Sequence, residues 1–345
     1  VEDEVGVKSK EDTFVDAVQY WNLAPHENFL IKGQLIQKST GKVLATADSG
    51  EFSVGAKSMD GTKNVIFKFD STGLAGETVV AYEKLYHVSD DGDLYELDQH
   101  ENLEDTAQSV YFPKIGTTAK DGQTSDHVGT SGKSAKLVDT VKLNNVIVGK
   151  EYTVRGTLVN KQTGEPVLEN GKKITAEGTV TFDASGKAKV TGSASNAQGV
   201  LNAKNSNHSV DGSVDLTFTF NSSVLEGQTV VAFEDLLHKN IEVDTHSDIK
   251  DEDQSVHYPK VGTSAKDGYT QDSVGTIGAK ATIVDTVKLE NLVPGMTYTV
   301  NGILKDQKTG ADFTVNGKTV TQSADITVNA DGTLTAKNKE KVTAV

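Results

Sequence analysis

The stretch "VDLTFTF" at residues 214–220 sets Val214, Leu216, Phe218 and Phe220 at every second position, with Asp215, Thr217 and Thr219 between them. Period two puts the four apolar side chains on one face of an extended strand, so the segment reads as half-buried β-structure. The pattern repeats upstream at Val65, Phe67 and Phe69. Thirty-two glycines and turn pairs such as Asp60-Gly61, Asn170-Gly171 and Asp331-Gly332 punctuate such runs, and no long helical periodicity occurs. Short alternating strands between tight turns predict an all-β chain.

The strands come in repeated sets. "VVAYEKLYH" (79–87) resembles "VVAFEDLLH" (230–238), and "HENLEDTAQSVYFPKIGTTAKDG" (100–122) resembles "HSDIKDEDQSVHYPKVGTSAKDG" (246–268), a separation of 246 − 100 = 146 residues. "LVDTVKLNNVIVGKEYTVRGTL" (137–158) returns as "IVDTVKLENLVPGMTYTVNGIL" (283–304). The expected organisation is three units, 1–115, 116–261 and an incomplete 262–345, joined at the "PKxGTxAKDG" stretches. Each repeat length suits an immunoglobulin-like β-sandwich, and tandem sandwiches with short joints predict an elongated rod.

Composition narrows the function. Forty-nine acidic against 34 basic residues give a formal charge of −15, which repels nucleic acid and anionic membranes alike. No run of 18 apolar residues is present, so no membrane insertion is expected. The chain contains no cysteine, so if it is secreted its stabilisation must come from packing, metals or another covalent link. It starts mid-pattern and stops at "KVTAV", which reads as an excised piece.

The central unit carries a group of residues suited to such a link. "VDTV" offers Thr140, "VVAFED" offers Glu234, and "HSDIKDEDQ" offers His246, Asp248, Asp251 and Gln254. A threonine hydroxyl is a weak nucleophile and needs a base and a polarising partner. Attack on the Gln254 carboxamide with loss of ammonia leaves an ester between two side chains. The HxDxxDxxQ spacing, the "VVAFED" glutamate and the "DTVKL" threonine together resemble the Thr-Gln ester-bond domains of Gram-positive cell-surface adhesins. The resemblance spans essentially the whole chain. It implies an autocatalytic Thr140–Gln254 ester assisted by Glu234 and His246, and a second carboxylate sharing a proton with Glu234. Asp251, repeated as Asp105, is the candidate for that acid, with Glu165 and Glu169 as weaker rivals.

One feature of the strand opposes the scheme. Val141 and Leu143 alternate as core residues, which turns Thr140 to the other face unless a bulge or a change of sheet intervenes.

Counting from the glycine of the following "GxL" strand, 156 − 140 = 16 and 302 − 286 = 16, while 33 − 16 = 17 puts Ala17 at the threonine position of unit one. Unit one retains Glu83, His100 and Gln108, but Asn102 stands where the motif has its first acid. The expectation is that unit one is inactive for want of a hydroxyl, that Ala17→Thr restores it, and that Thr286 of unit three is a nucleophile without partners. A Lys142 isopeptide bond and calcium at "SDDGD" (89–93) or at the acidic loop 244–253 are weaker readings of solvated polar residues, and Trp21 reads as an ordinary core or edge residue with no carbohydrate site attached. No cofactor or metal is expected.

The resemblance further implies an extracellular, cell-wall-anchored stalk segment whose partners are its neighbouring units, any host ligand being bound elsewhere in the parent protein. A ligand-binding adhesin module for a host protein or glycan is the alternative. A hydrolase is disfavoured, because the electrophile lies in the same chain and reacts once.

Overall fold

The computed structural model describes residues 3–336. Every regular element among them is a β-strand apart from three short 3-10 turns. The chain divides into two compact bodies, one holding residues up to 119 with 136–220 and 231–254, the other holding 120–135, 221–230 and residues from 255 onward.

In the first body the central unit is a two-sheet sandwich. One sheet has four strands in the order Ala194–Leu201, Ser209–Phe220, Ala135–Ile147, Lys114–Asp121. The other carries the strands Ala188–Gly192, Thr175–Phe182, Glu151–Asn160, Thr229–His238 and Ile241–His246 in that order. Val214, Leu216, Phe218 and Phe220 are all buried between the sheets, which is where their alternation directs them. Unit one repeats the plan with Asp12–Tyr20 paired to Gly61–Phe69 on one side, and Lys42–Asp48, Asn28–Gln37, Thr78–Val88 and Leu94–His100 on the other. Its core gathers Phe14, Ile31, Leu35, Val65, Phe67, Val79 and Phe112. In the second body, Lys260–Asp267 pairs antiparallel with Ile283–Glu290, and Thr297–Ile303, Thr321–Val328 and Leu334–Ala336 form a three-stranded sheet. The architecture is that of tandem immunoglobulin-like β-units.

Two glycines fix the correspondence between the first two units. A Cβ on Gly33 would come within 2.6 Å of Phe67 Cζ, and one on Gly156 within 2.5 Å of Phe218 Cζ. The front halves are therefore offset by 156 − 33 = 123 and the strands behind them by 218 − 67 = 151, until the closing motifs at His100 and His246, which are 146 apart. The same front offset pairs Gly6, whose N–H donates to the Tyr111 carbonyl at 2.7 Å, with Gly129, whose N–H donates to that of His257 at 2.7 Å. Gly33→Ala should destabilise unit one by about 1–3 kcal/mol, the usual cost of overfilling a close-packed core. Denaturant titration of the variant checks this, the expected result being a lower midpoint for the unit-one transition.

Candidate functional site

The strand Ala135–Ile147 buries Leu137, Asp139, Val141 and Leu143 on one face. Thr140 consequently points the other way, and its hydroxyl donates to Asp215 Oδ1 at 2.7 Å. The burial alternation runs unbroken from Ala135 to Leu143. The structure does not place Thr140 beside Gln254, and Asp139, one residue earlier, occupies the inner face instead. The exposed Ala17 stands at the same outward position of unit one, so a hydroxyl introduced there would not reach Gln108. Strand alternation turns both Thr140 and Ala17 away from the inner face that carries Asp139 and Asp16.

The hydroxyl at the buried centre belongs to Thr117. The strand Lys114–Asp121 buries Ile115, Thr117, Ala119 and Asp121, and Thr117 Oγ1 donates to Glu234 Oε2 at 3.2 Å. This strand is held from both ends: the Ile115 N–H donates to Asp244 Oδ2 at 2.7 Å, and the Ala119 N–H donates to the Asp253 carbonyl at 2.9 Å. The second bond ties the chain two residues after Thr117 to the residue before Gln254. Gln254 is 0% exposed, its own carbonyl accepts from the Ala232 N–H at 3.2 Å, and its side-chain Nε2 reaches Asp139 Oδ1 at 3.5 Å. Thr117, Glu234, Asp139 and Gln254 thus meet in one buried cluster.

Glu234 and Asp139 are both 0% exposed. Burial, followed by the charge and hydrogen bond of Asp139, raises the Glu234 carboxyl well above its usual range. Burial raises Asp139 as well, opposed by its hydrogen bonds to Glu234 and Gln254. Two adjoining carboxyls in a dry site cannot both ionise, so the pair holds one proton at neutral pH. Gln254 Oε1 is buried without a hydrogen-bond partner, and Glu234 Oε1 and Asp139 Oδ2 have no donor other than the proton the pair shares. Atoms so sparsely satisfied are costly, and they mark this cluster as one arranged for chemistry more than for stability.

The remaining expected residues take supporting places. His246 lies opposite Glu234 across the strand pair, and its Nε2 contacts Asp251 Oδ2 at 2.9 Å. Asp251 is therefore the partner of the histidine and not the second acid of the pair. Asp248 shapes the turn, its Oδ1 accepting from the Lys250 N–H at 2.9 Å and its carbonyl from the Asp251 N–H at 3.1 Å. Glu165 and Glu169 lie outside the buried cluster, Glu169 on the short strand pair with Lys172. The "SDDGD" segment is a tight turn closed by the Ser89 N–H to the Asp93 carbonyl at 3.0 Å, and no cluster of metal-ligating residues occurs among the described residues.

Unit one holds the same atoms. Gln108 Oε1 is likewise buried without a partner, Glu83 Oε1 and Asp16 Oδ2 have no donor other than a shared proton, and burial together with Asp16 raises the Glu83 carboxyl. His100 Nε2 contacts Asp105 Oδ2 at 2.8 Å, as His246 contacts Asp251. The front offset puts the counterpart of Thr117 at 117 − 123 = −6, ahead of the first residue of the sequence, so Ala17 is the counterpart of Thr140 only. In unit three, Thr263 lies opposite Val287, and Ala265 opposite Asp285. With 263 − 117 = 146 and 285 − 139 = 146, Thr263 and Asp285 correspond to Thr117 and Asp139. Thr286, opposite Ser264, corresponds to Thr140.

Two residues were missed in the sequence, and each left a signal. Asp139 stands two positions before Val141 in the buried alternation that had already argued against Thr140. Thr117 lies in "KIGTTAKD", whose Ile115, Thr117, Ala119 spacing is also period two, but Gly116 and the recurrence of the stretch between units made it read as a joint.

The sequence matches the family of the T-Q ester bond containing domain at residues 1–112, 113–258 and 259–345. The chain belongs to that family. The matched units begin three residues earlier than the joints read from the sequence, which assigns the Thr117 strand wholly to unit two. Similar solved structures include a bacterial adhesin from Mobiluncus mulieris containing intramolecular disulfide, isopeptide and ester bond cross-links, 14% identical over 65% of this chain and 97% of that chain with a TM-score of 0.32. Another is the C-terminal domain of the Streptococcus agalactiae AgI/II polypeptide BspA, 10% identical over 69% of this chain and 93% of that one with a TM-score of 0.33. No curated protein matches the chain.

Proposed function

We propose that unit two closes an ester between Thr117 Oγ1 and the Gln254 side-chain carbonyl carbon, once per molecule, and that the chain is a covalently stapled stalk segment of a bacterial surface adhesin. The observation that carries this reading is the buried hydrogen bond from Thr117 to Glu234 in the same cluster as Gln254 and Asp139. Within the singly protonated pair the shared proton moves to Asp139, Glu234 takes the hydroxyl proton as the oxygen attacks, and Asp139 passes its proton to the Gln254 nitrogen. The C–N bond then breaks, ammonia leaves, and the pair is again singly protonated. His246, near enough for its charge to oppose the rise in the Asp139 pKa, biases where that proton sits.

No turnover follows, because nucleophile and electrophile are consumed together. The staple joins the strand at the start of unit two to the residue that precedes its last strand. Tension applied across the unit then runs through the ester and bypasses the sandwich. Family membership and this geometry support a place outside the cell, in a protein anchored to the cell wall, with the neighbouring units as its partners.

Intact mass tests the proposal. The expected chain is lighter than its sequence by one ammonia, and peptide mapping should find Thr117 joined to Gln254. An unshifted mass for the folded chain would refute it.

A further inference from the structure

Each unit-to-unit joint contains the same asparagine. Asn145 has a left-handed backbone, φ 60°, and Asn291 has φ 59°. Asn145 Nδ2 donates to the Glu77 carbonyl at 2.7 Å and to Thr78 Oγ1 at 3.1 Å. Asn291 Nδ2 donates to the Gln228 carbonyl at 2.7 Å, and Thr229 Oγ1 donates to Asn291 Oδ1 at 3.0 Å. The groups gripped are equivalent, since 228 − 77 = 151 is the rear offset between the units. They open the strands "GETVV" (76–80) and "GQTVV" (227–231). A carboxamide that donates to a backbone carbonyl and pairs with a buried threonine hydroxyl reads both position and orientation of the strand it meets.

Unit one presents the same element on its outer face. Asn22, at 145 − 123 = 22, has φ 57°. Its N–H donates to Asp60 Oδ1 at 2.8 Å, as the Asn145 N–H donates to Asp211 Oδ1 at 2.8 Å, and 211 − 60 = 151 again. The loop around Asn22 is therefore built as the loop around Asn145 is. Asn145 is 2% exposed under unit one, whereas Asn22 is exposed and Trp21 beside it is 67% exposed.

We propose that the Asn22 face of unit one is a docking surface for the end of another unit of this class, one that presents a Gly-x-Thr-Val-Val strand start, and that the left-handed asparagine is its recognition residue. Within this chain both such strand starts are engaged, by Asn145 and Asn291, so the occupant is a further unit joined ahead of unit one. Continuity with two joints that share the asparagine-to-carbonyl bond and an asparagine–threonine pair carries the inference, and it does not depend on the ester.

The test lengthens the chain with a copy of residues 113–269 fused ahead of Val1, the register set by the correspondence of Val1 with Thr124. Hydrogen exchange should show the copied 227–231 segment as protected as 76–80. Asn22→Gly in the extended chain should lower that protection about tenfold, as Asn145→Gly should at 76–80, since glycine retains the positive φ and removes only the amide. In the 345-residue chain Asn22→Gly should change neither 76–80 nor 227–231. Circular dichroism of each variant establishes that it is folded. The proposal is overturned if the copied segment exchanges freely, or if Asn22→Gly leaves its protection intact. It also falls if Asn145→Gly has no effect at 76–80, for then the amide is not what holds the joints. Intact mass, measured separately, reports on the ester and leaves this question untouched.

Discussion

Thr117→Val should leave the chain at its sequence mass, whereas Thr140→Val should lose one ammonia as the parent does. The pair discriminates because the two threonines differ by the face of the sheet they occupy: one hydroxyl donates to Glu234 inside the sandwich and the other to Asp215 outside it. Valine matches threonine in shape, so Thr117→Val removes the nucleophile and little else. The stability consequence is large. The ester closes a loop of 254 − 117 = 137 residues, and the chain-entropy treatment of cross-links assigns such a loop about 5 kcal/mol. Denaturant unfolding should therefore show unit two falling by that order in Thr117→Val and by about 1 kcal/mol or less in Thr140→Val, where a half-buried hydrogen bond is lost. A Thr140→Val chain of unshifted mass would return the nucleophile to Thr140 and contradict the geometry.

How much of this was legible beforehand depended on whether the information was local. The fold was, because alternation at Val214 to Phe220 and the recurrence of long segments at fixed offsets are properties of the sequence itself. Glu234, His246 and Gln254 were readable as a set for the same reason, their spacing being repeated in unit one. The inward placement of Thr117 and Asp139 was not, since motif position says nothing about which face a residue occupies. Asp251 looked the better acid by proximity to Gln254, but at five residues from His246 it closes a hydrogen bond across the turn, and Asp139 reaches the glutamine from a different strand. Ala17 and Thr140 share one outward strand position, so the missing hydroxyl at 17 carries no information about the inner face.

The unpartnered oxygens in units one and two explain why the acid pair should dominate the chemistry. Glu234→Gln should fold and yet close the ester at a rate lower by about 10² to 10⁴, the usual contribution of a positioned proton carrier. Glutamine preserves the size of the side chain and can still accept from Thr117, so the loss isolates proton transfer from packing. Time-resolved intact mass of freshly refolded protein reads it directly. The same carboxyl gives a pH signature once the ester is removed. Glu234 has an ordinary pKa near 4.5, raised well above that by burial in the folded state. Below the ordinary value both folded and unfolded chains hold the proton, and its contribution is fully present. As pH rises, the unfolded chain ionises first, so stability falls by about 1.4 kcal/mol per pH unit for each proton retained until the folded carboxyl itself ionises. Unit two of Thr117→Val should accordingly lose stability as pH rises above the ordinary glutamate value, and the double variant Thr117→Val, Glu234→Gln should flatten that slope for unit two. An unchanged slope in the double variant would show that the proton resides elsewhere in the cluster, with Asp139 the first group to substitute by asparagine.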